Sequence, residues 1–483
     1  MKKPSLNEFI FYYLIPLIFI GSYLFTAVKE VRYGLNRDYA EGTTLAFVDK
    51  YRSATSPRDI YSAESFQEGE IIGYPALHLA LISALSSDAS TALSSGRIVS
   101  VTSILLISVL AWLILFKGQL VNLKFLPLIT TLLLYQSAIY DWSLLARADL
   151  LAALFEVLGI FIFLRSNGKS IGSLAISMIC FAGAFLCKQN AVAGPILIVI
   201  LLALNNRRTF LKSLPVLAVV SISIGLIVTA LFGGSYWQHT ILQLGKQEFF
   251  LSRLLQLISG YLPAHLFLFA LALIAMKFSD HKLAKRVLPV WIGIALILAL
   301  TGLGRSGSNY NYFISLSVPL GIIAFLGIRV VMQMEMSSKK LMALICLALF
   351  TGMAFAENSN LAGRLTFLDH RSWPPSRQEP EIALSKTRTH LESIGAKNVF
   401  CDEPGICALL GYPTKYMYFE NQMHSVRKTD LTQVFDTLLL TEYPDKNLAW
   451  TQFKLPAGFL DQIQADYELQ RITEMGFVFA RKQ

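Results

Sequence analysis

The residues with the most chemical potential stand in Asn36-Arg37-Asp38-Tyr39-Ala40-Glu41-Gly42, an acidic stretch immediately after the first long apolar run. Asp38 and Glu41 are three residues apart, so one helical turn would bring both carboxylates onto one face. A carboxylate held at a membrane edge can act on a membrane-borne substrate. The competing reading is a solvated loop start with Glu41 beside a helix N-terminus. A divalent cation between Asp38 and Glu41 is a further option, although two acids make a thin ligand set. Arg147-Ala148-Asp149 offers a cation for an anionic headgroup with Asp149 to orient it, or else an ion-paired interfacial corner. Lys188-Gln189-Asn190 interrupts two apolar segments; its lysine either snorkels to the interface or holds a phosphate. The loop Gly304 to Tyr312, with Arg305, Asn309 and Tyr310, presents donors suited to hydroxyl or phosphate oxygens. Its alternative is a tight turn with interfacial tyrosines. His78, His239 and His265 form no pair at metal-ligand spacing, so they read as packing residues and no metal site is assigned.

Such scattered groups need a scaffold, and the composition says which kind. Hydrophobic residues make up 54% of the 483 and charged residues 15%, with mean hydropathy +0.52, the profile of a polytopic α-helical membrane protein. Apolar runs long enough for a bilayer give about eleven spans. They begin near Ile10, Ile98, Phe125, Leu150, Ile171, Ala191, Ser213, Tyr261, Val287, Tyr312 and Leu341. The first is a retained anchor, since no small-residue cleavage site follows it. Alternate loops collect the basic residues: Lys117 and Lys124, Arg165 and Lys169, Arg207, Arg208 and Lys212, Lys277 to Arg286, then Lys339 and Lys340. The intervening loops hold the acids, Asp38 and Glu41 among them, so the positive-inside rule puts the N-terminus in the cytoplasm and the acidic loop outside. An odd span number puts the C-terminus outside too. The net charge of +10 therefore reads as topology and contact with anionic lipid headgroups. Nucleic acid is excluded as a partner, because no basic, aromatic-interleaved soluble module is present.

Three regions follow. Residues 1–357 form the transmembrane module with an outer loop at 29–96; residues 358–379, around Trp373-Pro374-Pro375, form a linker; residues 380–483 form a small extracytoplasmic α/β domain. Within the outer loop, Gly42 to Tyr51 reads as helix, and Tyr74 to Ile82 as an interfacial or re-entrant helix too short to span. The tail should hold a helix from Glu381 to Ile394, strands at Asn398 to Cys401, Lys415 to Phe419, Thr437 to Thr441 and Phe477 to Ala480, and helical patterns near Leu431 and from Phe459 to Tyr467. It lacks a glycine-rich phosphate loop and a nucleophile elbow, so it supports, shields or recruits. Cys401 and Cys407 can form a disulfide there or remain thiols, since spacing alone does not supply the geometry.

The order R-D-Y-A-E-G, Y-P-A-L-H-L-A-L-I-S-A-L-S, G-R-I-V-S, A-R-A-D-L-L-A-A-L-F, F-L-C-K-Q-N-A-V-A-G-P and G-S-N-Y-N-Y-F, over about residues 10 to 330, resembles the GT-C superfamily of membrane glycosyltransferases. It is most similar to the RgtA-like and protein mannosyltransferase-like branch, which includes aminoarabinose transferases acting on lipid A. The resemblance implies a polyprenyl-phosphate-linked sugar donor, a lipid, glycan or protein acceptor, transfer at the non-cytoplasmic face of a bacterial inner membrane, and usually inversion. It makes Asp38 the general base and Glu41 the second acidic position, although the commoner adjacent Asp-Glu pair is absent. The family's A-R-P-D corner stands here as A-R-A-D, keeping Arg147 and Asp149. A leaving phosphate needs cations, for which Lys188, Arg147 and Arg305 are candidates. The rival readings are a lipid flippase or transporter working through Glu156, a glycan polymerase or ligase, and a noncatalytic sensor or scaffold.

Overall fold

The computed structural model describes residues 10–67, 71–118, 120–166, 170–205, 207–242, 245, 247–305, 308–333, 379–413, 435–441, 463, 465–473 and 475–482. The span expected near Leu341, the linker up to residue 378, the strand at Lys415 to Phe419 and the pattern around Leu431 lie outside the described residues.

The chain is mostly helical. Its first long helix, α1 (Ile15–Arg32), leads through a short turn into α2 (Tyr39–Ser53). Asp38 starts α2 because it adopts the extended backbone of an N-cap and accepts the backbone N–H of Glu41, satisfying a donor that helix geometry leaves free. The short helix α3 (Ala76–Ala84) packs under α2, where the sequence places an interfacial or re-entrant element. Next come α4 (Ala89–Lys117), then α5 (Leu126–Leu134) and α6 (Ser137–Ser143), which meet at a 90° bend. The bundle continues with α7 (Asp149–Arg165), α8 (Ile171–Cys187), α9 (Ala193–Asn205), α10 (Arg207–Phe232), α11 (Leu251–Phe278), α12 (Leu288–Leu303) and α13 (Ile314–Gln333).

This is an integral membrane protein. Among the described residues six helices are long and apolar enough to cross a bilayer, or seven if the bent pair counts as one. That is fewer than the roughly eleven read from apolar runs. The difference lies partly in α7, α8 and α9, whose 17, 17 and 13 residues fall short of the roughly 20 that a full crossing takes. The span window of α13 is 83% buried and that of α10 only 6%, so α13 is the axis of the bundle and α10 its periphery. One continuous apolar core, including Tyr23, Tyr140, Trp291 and Phe325, joins these helices.

After the bundle, α14 (Pro380–Ser393) matches the helix read from the sequence. A four-stranded sheet has the order β1-β2-β4-β3, from β1 (Val399–Cys401), β2 (Thr437–Leu440), β3 (Tyr467–Thr473) and β4 (Gly476–Arg481). β1 and β2 run parallel; the other pairs are antiparallel. The end of the Phe459 to Tyr467 pattern is corrected, because Tyr467 opens β3, pairing with Arg481. Between β1 and β2 lies α15 (Pro404–Leu410), tied back to β1 by a Cys401–Cys407 disulfide with Cα atoms 5.8 Å apart. α15 packs directly on α2: a Cβ on Gly42 would sit 2.9 Å from the Gly405 nitrogen.

Close helix contact also sets the bundle. A Cβ on Gly327 of α13 would lie 2.2 Å from the Leu271 carbonyl oxygen of α11, so the small residue permits a backbone-to-backbone crossing. Gly327→Ala should push these helices apart at a cost of about 1–3 kcal/mol. Gly293 has nothing within 4 Å of its Cβ position, so Gly293→Ala should melt as the native protein does. Thermal unfolding of both variants in detergent checks the contrast.

Candidate active site

The site is framed by a buried ion pair. Arg97, in the first half of α4, is fully buried, as is Glu41. All five guanidinium donors are used. Nε and Nη2 reach the two oxygens of Glu41 at 2.8 Å each. Nη2 also donates to the Leu35 carbonyl at 2.8 Å, and Nη1 to those of Tyr33, at 2.7 Å, and Glu30. Glu41 accepts two more bonds, from the Ala146 N–H at 2.7 Å and the Arg37 N–H at 2.6 Å. Burial alone would raise the Glu41 pKa; the charge and hydrogen bonds of Arg97, with the two backbone donors, outweigh it and hold the carboxyl below its ordinary value. With four donors on its two oxygens, Glu41 has no lone pair left for a substrate or a metal. The expectation of a second reacting acid is therefore corrected: Glu41 is a fastener.

Asp38 is placed differently. One oxygen caps α2 by accepting the Glu41 N–H at 2.6 Å; the other accepts Arg147 Nη1 at 3.0 Å. From Arg147 the network runs on to Asp149 at 3.5 Å, and Asp149 pairs with Lys188 and accepts Asn311 Nδ2 at 3.0 Å. Tyr74 shares the electrostatic surroundings of Arg147, Asp149 and Asp38. Asp38 keeps 34% of its side-chain exposure, against 10% for Arg147, 4% for Asp149 and 15% for Lys188. It is the open end of an alternating chain of charges. Loss of water raises the Asp38 pKa above its ordinary value, Arg147 works against that shift, and Glu41 adds to it. Arg147 stays charged: desolvation disfavours its cation, but Asp38 and Asp149 more than restore it.

The remaining candidates are distributed around this line. Gln189 donates to the Gly73 carbonyl at 3.2 Å, so it ties the turn after α8 to the segment before α3. Arg305 lies in a bridge with Phe249, beside a 2.6 Å bond from the Phe250 N–H to the Gly304 carbonyl, and shares the electrostatic surroundings of Tyr312 with Asp149 and Arg147. Lys188 lies over the Tyr312 ring at 5.4 Å. Asn309 caps the short turn Tyr310–Phe313, accepting the Tyr310 N–H at 2.8 Å, and the Tyr310 ring lies 6.5 Å from that of Phe313. In that loop the residue that hydrogen-bonds to the charge chain is Asn311, beside Tyr312 under Lys188. Sequence reasoning also gave Arg97 no role, read Tyr74 as the start of an interfacial or re-entrant helix and read His78 as a packing residue. His78 is fully buried on α3, and loss of water holds its pKa down at about 4, with Asp149 partly offsetting it. Its Nε2, the Gln189 Oε1 and the Asn311 Oδ1 are buried polar atoms without a protein partner. Among the described residues, no group of three or more His, Cys, Asp or Glu side chains could hold a metal ion.

Neither a family model nor a curated protein matches this sequence. Solved structures do. ArnT from Cupriavidus metallidurans in the apo state matches with TM-score 0.60 and 11% identity, over 96% of this chain and 97% of that one. The chain has the GT-C fold. ArnT bound to undecaprenyl phosphate matches equally, with TM-score 0.60 and 11% identity over 99% and 98% of the two chains. The Archaeoglobus fulgidus oligosaccharyltransferase in the apo form is a weaker likeness, with TM-score 0.48 and 10% identity over 85% of this chain and 65% of that one. In this GT-C fold the charge chain joins the turn after α1, the residues before α7, the turn after α8 and the short turn before α13.

The two carboxylates should separate in stability. Glu41→Gln strands a buried guanidinium and should cost about 3–5 kcal/mol. Asp38→Asn keeps a competent helix cap and loses a half-open ion pair, at about 0–1 kcal/mol. Melting of the two variants side by side in one detergent measures the difference.

Proposed function

We propose that this protein is an integral-membrane glycosyltransferase that moves a sugar from a polyprenyl-phosphate carrier to a hydroxyl acceptor at the non-cytoplasmic face, with Asp38 as general base. The observation that carries the reading is the asymmetry of the charge chain: one half-open carboxylate, paired with Arg147, ends a chain that also holds Lys188, and the other acids are locked. The GT-C fold supports it, since ArnT, which has that fold, is seen with undecaprenyl phosphate bound.

The chemistry follows from those positions. The acceptor oxygen attacks the anomeric carbon as its proton passes to the Asp38 carboxylate. The bond from that carbon to the phosphate oxygen breaks, and the electron pair leaves on the polyprenyl phosphate. A phosphate leaving group needs positive charge more than an acid. Lys188, with Arg305 nearby, supplies it, and Arg147 orients the base. A single open carboxylate favours one displacement with inversion; Asp149, 4% exposed and tied to Lys188 and Arg147, is poorly placed as a nucleophile. The buried acceptors on Gln189 and Asn311, with His78, suit the hydroxyls of a neutral sugar. In this reading residues 1–357 form the catalytic module, and 380–483 an extracytoplasmic domain beside it. The flippase reading loses its main acid, because Glu156 accepts the Gly194 N–H at 2.6 Å and the Ser315 hydroxyl at 3.1 Å.

Membranes containing the native protein should move label from one member of a panel of radiolabelled polyprenyl-phosphate sugars, and those containing Asp38→Asn should not. Equal transfer by both would remove Asp38 as the base. Only the ionised base is competent, and its pKa is raised, so the rate should fall on acidification through a midpoint above the ordinary aspartate value of 3.8. Rates measured from pH 8 down to about 4 locate that limb. Lys188→Ala should raise the donor KM more than the acceptor KM, checked by varying each substrate in turn.

A further inference from the structure

The C-terminal domain sits against the back of the Asp38 turn, and the Asn36 side chain bonds to both. Asn36 is 3% exposed. Its Nδ2 donates at 3.1 Å to the Asp38 carbonyl and at 3.1 Å to Oε2 of Glu403. Both amide hydrogens are therefore spent, one on the main chain of the base and one on a carboxylate 367 residues away. The Asp38 carbonyl also accepts the Gly42 N–H at 3.1 Å, so the Asn36 amide bonds the same atom that begins the α2 ladder.

Glu403 stands on a stiff platform. Its N–H donates to Asp402 at 3.0 Å, and Asp402 accepts the Thr441 N–H at 2.9 Å and its hydroxyl at 2.6 Å, locking the ends of β1 and β2 together. The Cys401–Cys407 disulfide brackets the same corner. On the membrane side the approach is as close as backbone allows: a Cβ on Gly405 would lie 2.6 Å from Gly42 Cα and 2.7 Å from Asn36 Oδ1. Two glycines thus bring the corner near enough for Glu403 to reach Asn36.

We propose that the C-terminal domain contributes a positioning residue to the active site, Glu403, which acts through Asn36 on the main chain of Asp38. This rests on Asp38 being the base. A loop held only from the bundle side could tilt and change the angle at which the carboxylate meets the acceptor; the bond from above removes that freedom, and catalysis is sensitive to such displacements. The domain then completes the site, and a bundle without it would carry the right residues in a looser arrangement.

The test uses the full-length protein in native-like membranes. Glu403→Ala should lower kcat about tenfold, the scale of one hydrogen bond to a charged group, with the donor KM within about twofold. Glu403→Gln retains an acceptor oxygen and should restore most of the rate. A fall in KM and kcat together, or no rescue by glutamine, would overturn the assignment. Amide hydrogen exchange supplies a readout independent of turnover: residues 36–42 should exchange faster in Glu403→Ala and return toward native in Glu403→Gln. Unchanged exchange overturns the coupling whatever the activity, whereas inactivity of the native protein with altered exchange in the variant would sink the base assignment and leave the mechanical link standing.

Discussion

A guanidinium and a carboxylate that have left water completely dictate the rest of this site. Burying Arg97 and Glu41 is tolerable because the pair is saturated, five donors on one side and four accepted bonds on the other; a partly satisfied pair in that position would cost several kcal/mol. Saturation also requires geometry. The bonds fasten the end of α1, the loop after it, α4 and the residues before α7 to one point. The two backbone donors to Glu41 come from Arg37 and Ala146, each adjacent in sequence to a member of the Asp38–Arg147 pair. Fixing those two amides fixes where Asp38 and Arg147 meet. Gly96 belongs to the same frame, since a Cβ there would be 2.5 Å from that of Ala146.

The frame explains how two acids three residues apart come to such different ends. Asp38 caps α2 and turns toward the open side; Glu41, one turn on, points into the protein. Their environments separate their proton affinities, one raised and one lowered. A carboxylate with a raised pKa is the stronger base, and one with a lowered pKa is a reliable permanent charge. Neither property belongs to the residue type. It comes from which side of the helix faces Arg97.

Much of this was legible in the sequence, and what was hidden has a physical reason. Apolar run lengths located the helices through α13, and the acidic turn, the Arg147–Asp149 corner and Lys188 were marked as charges at the ends of apolar segments. Their assembly into one chain was not readable, because it depends on contacts between positions 39 to 162 residues apart. Arg97 did carry a signal: an arginine inside the apolar helix Ala89–Lys117 must have buried partners. In the Gly304 to Tyr312 loop, composition pointed to Asn309 and Tyr310, whereas the local turn directs Asn311 at Asp149. Among the described residues fewer helices than eleven reach spanning length, for a related reason. Hydropathy records apolar length and says little about whether a helix stops short inside the bundle.

Those short helices account for where charge can survive at a membrane edge. Asp38 caps the N-terminus of α2, Asp149 is the first residue of α7, and Lys188 is the C-cap of α8. Deeper in, Glu156 accepts the Gly194 N–H at the start of α9. In every case the sign of the side chain opposes the partial charge of the helix end beside it, and Asp38 and Glu156 also accept a backbone N–H that the helix start would otherwise leave unsatisfied. A helix running the full width of the bilayer would end in the headgroup region, where water does both tasks. Helices that stop early must bring their own charges inward. The breaks between these short helices therefore gather two cations and a half-open carboxylate in one chain of charges.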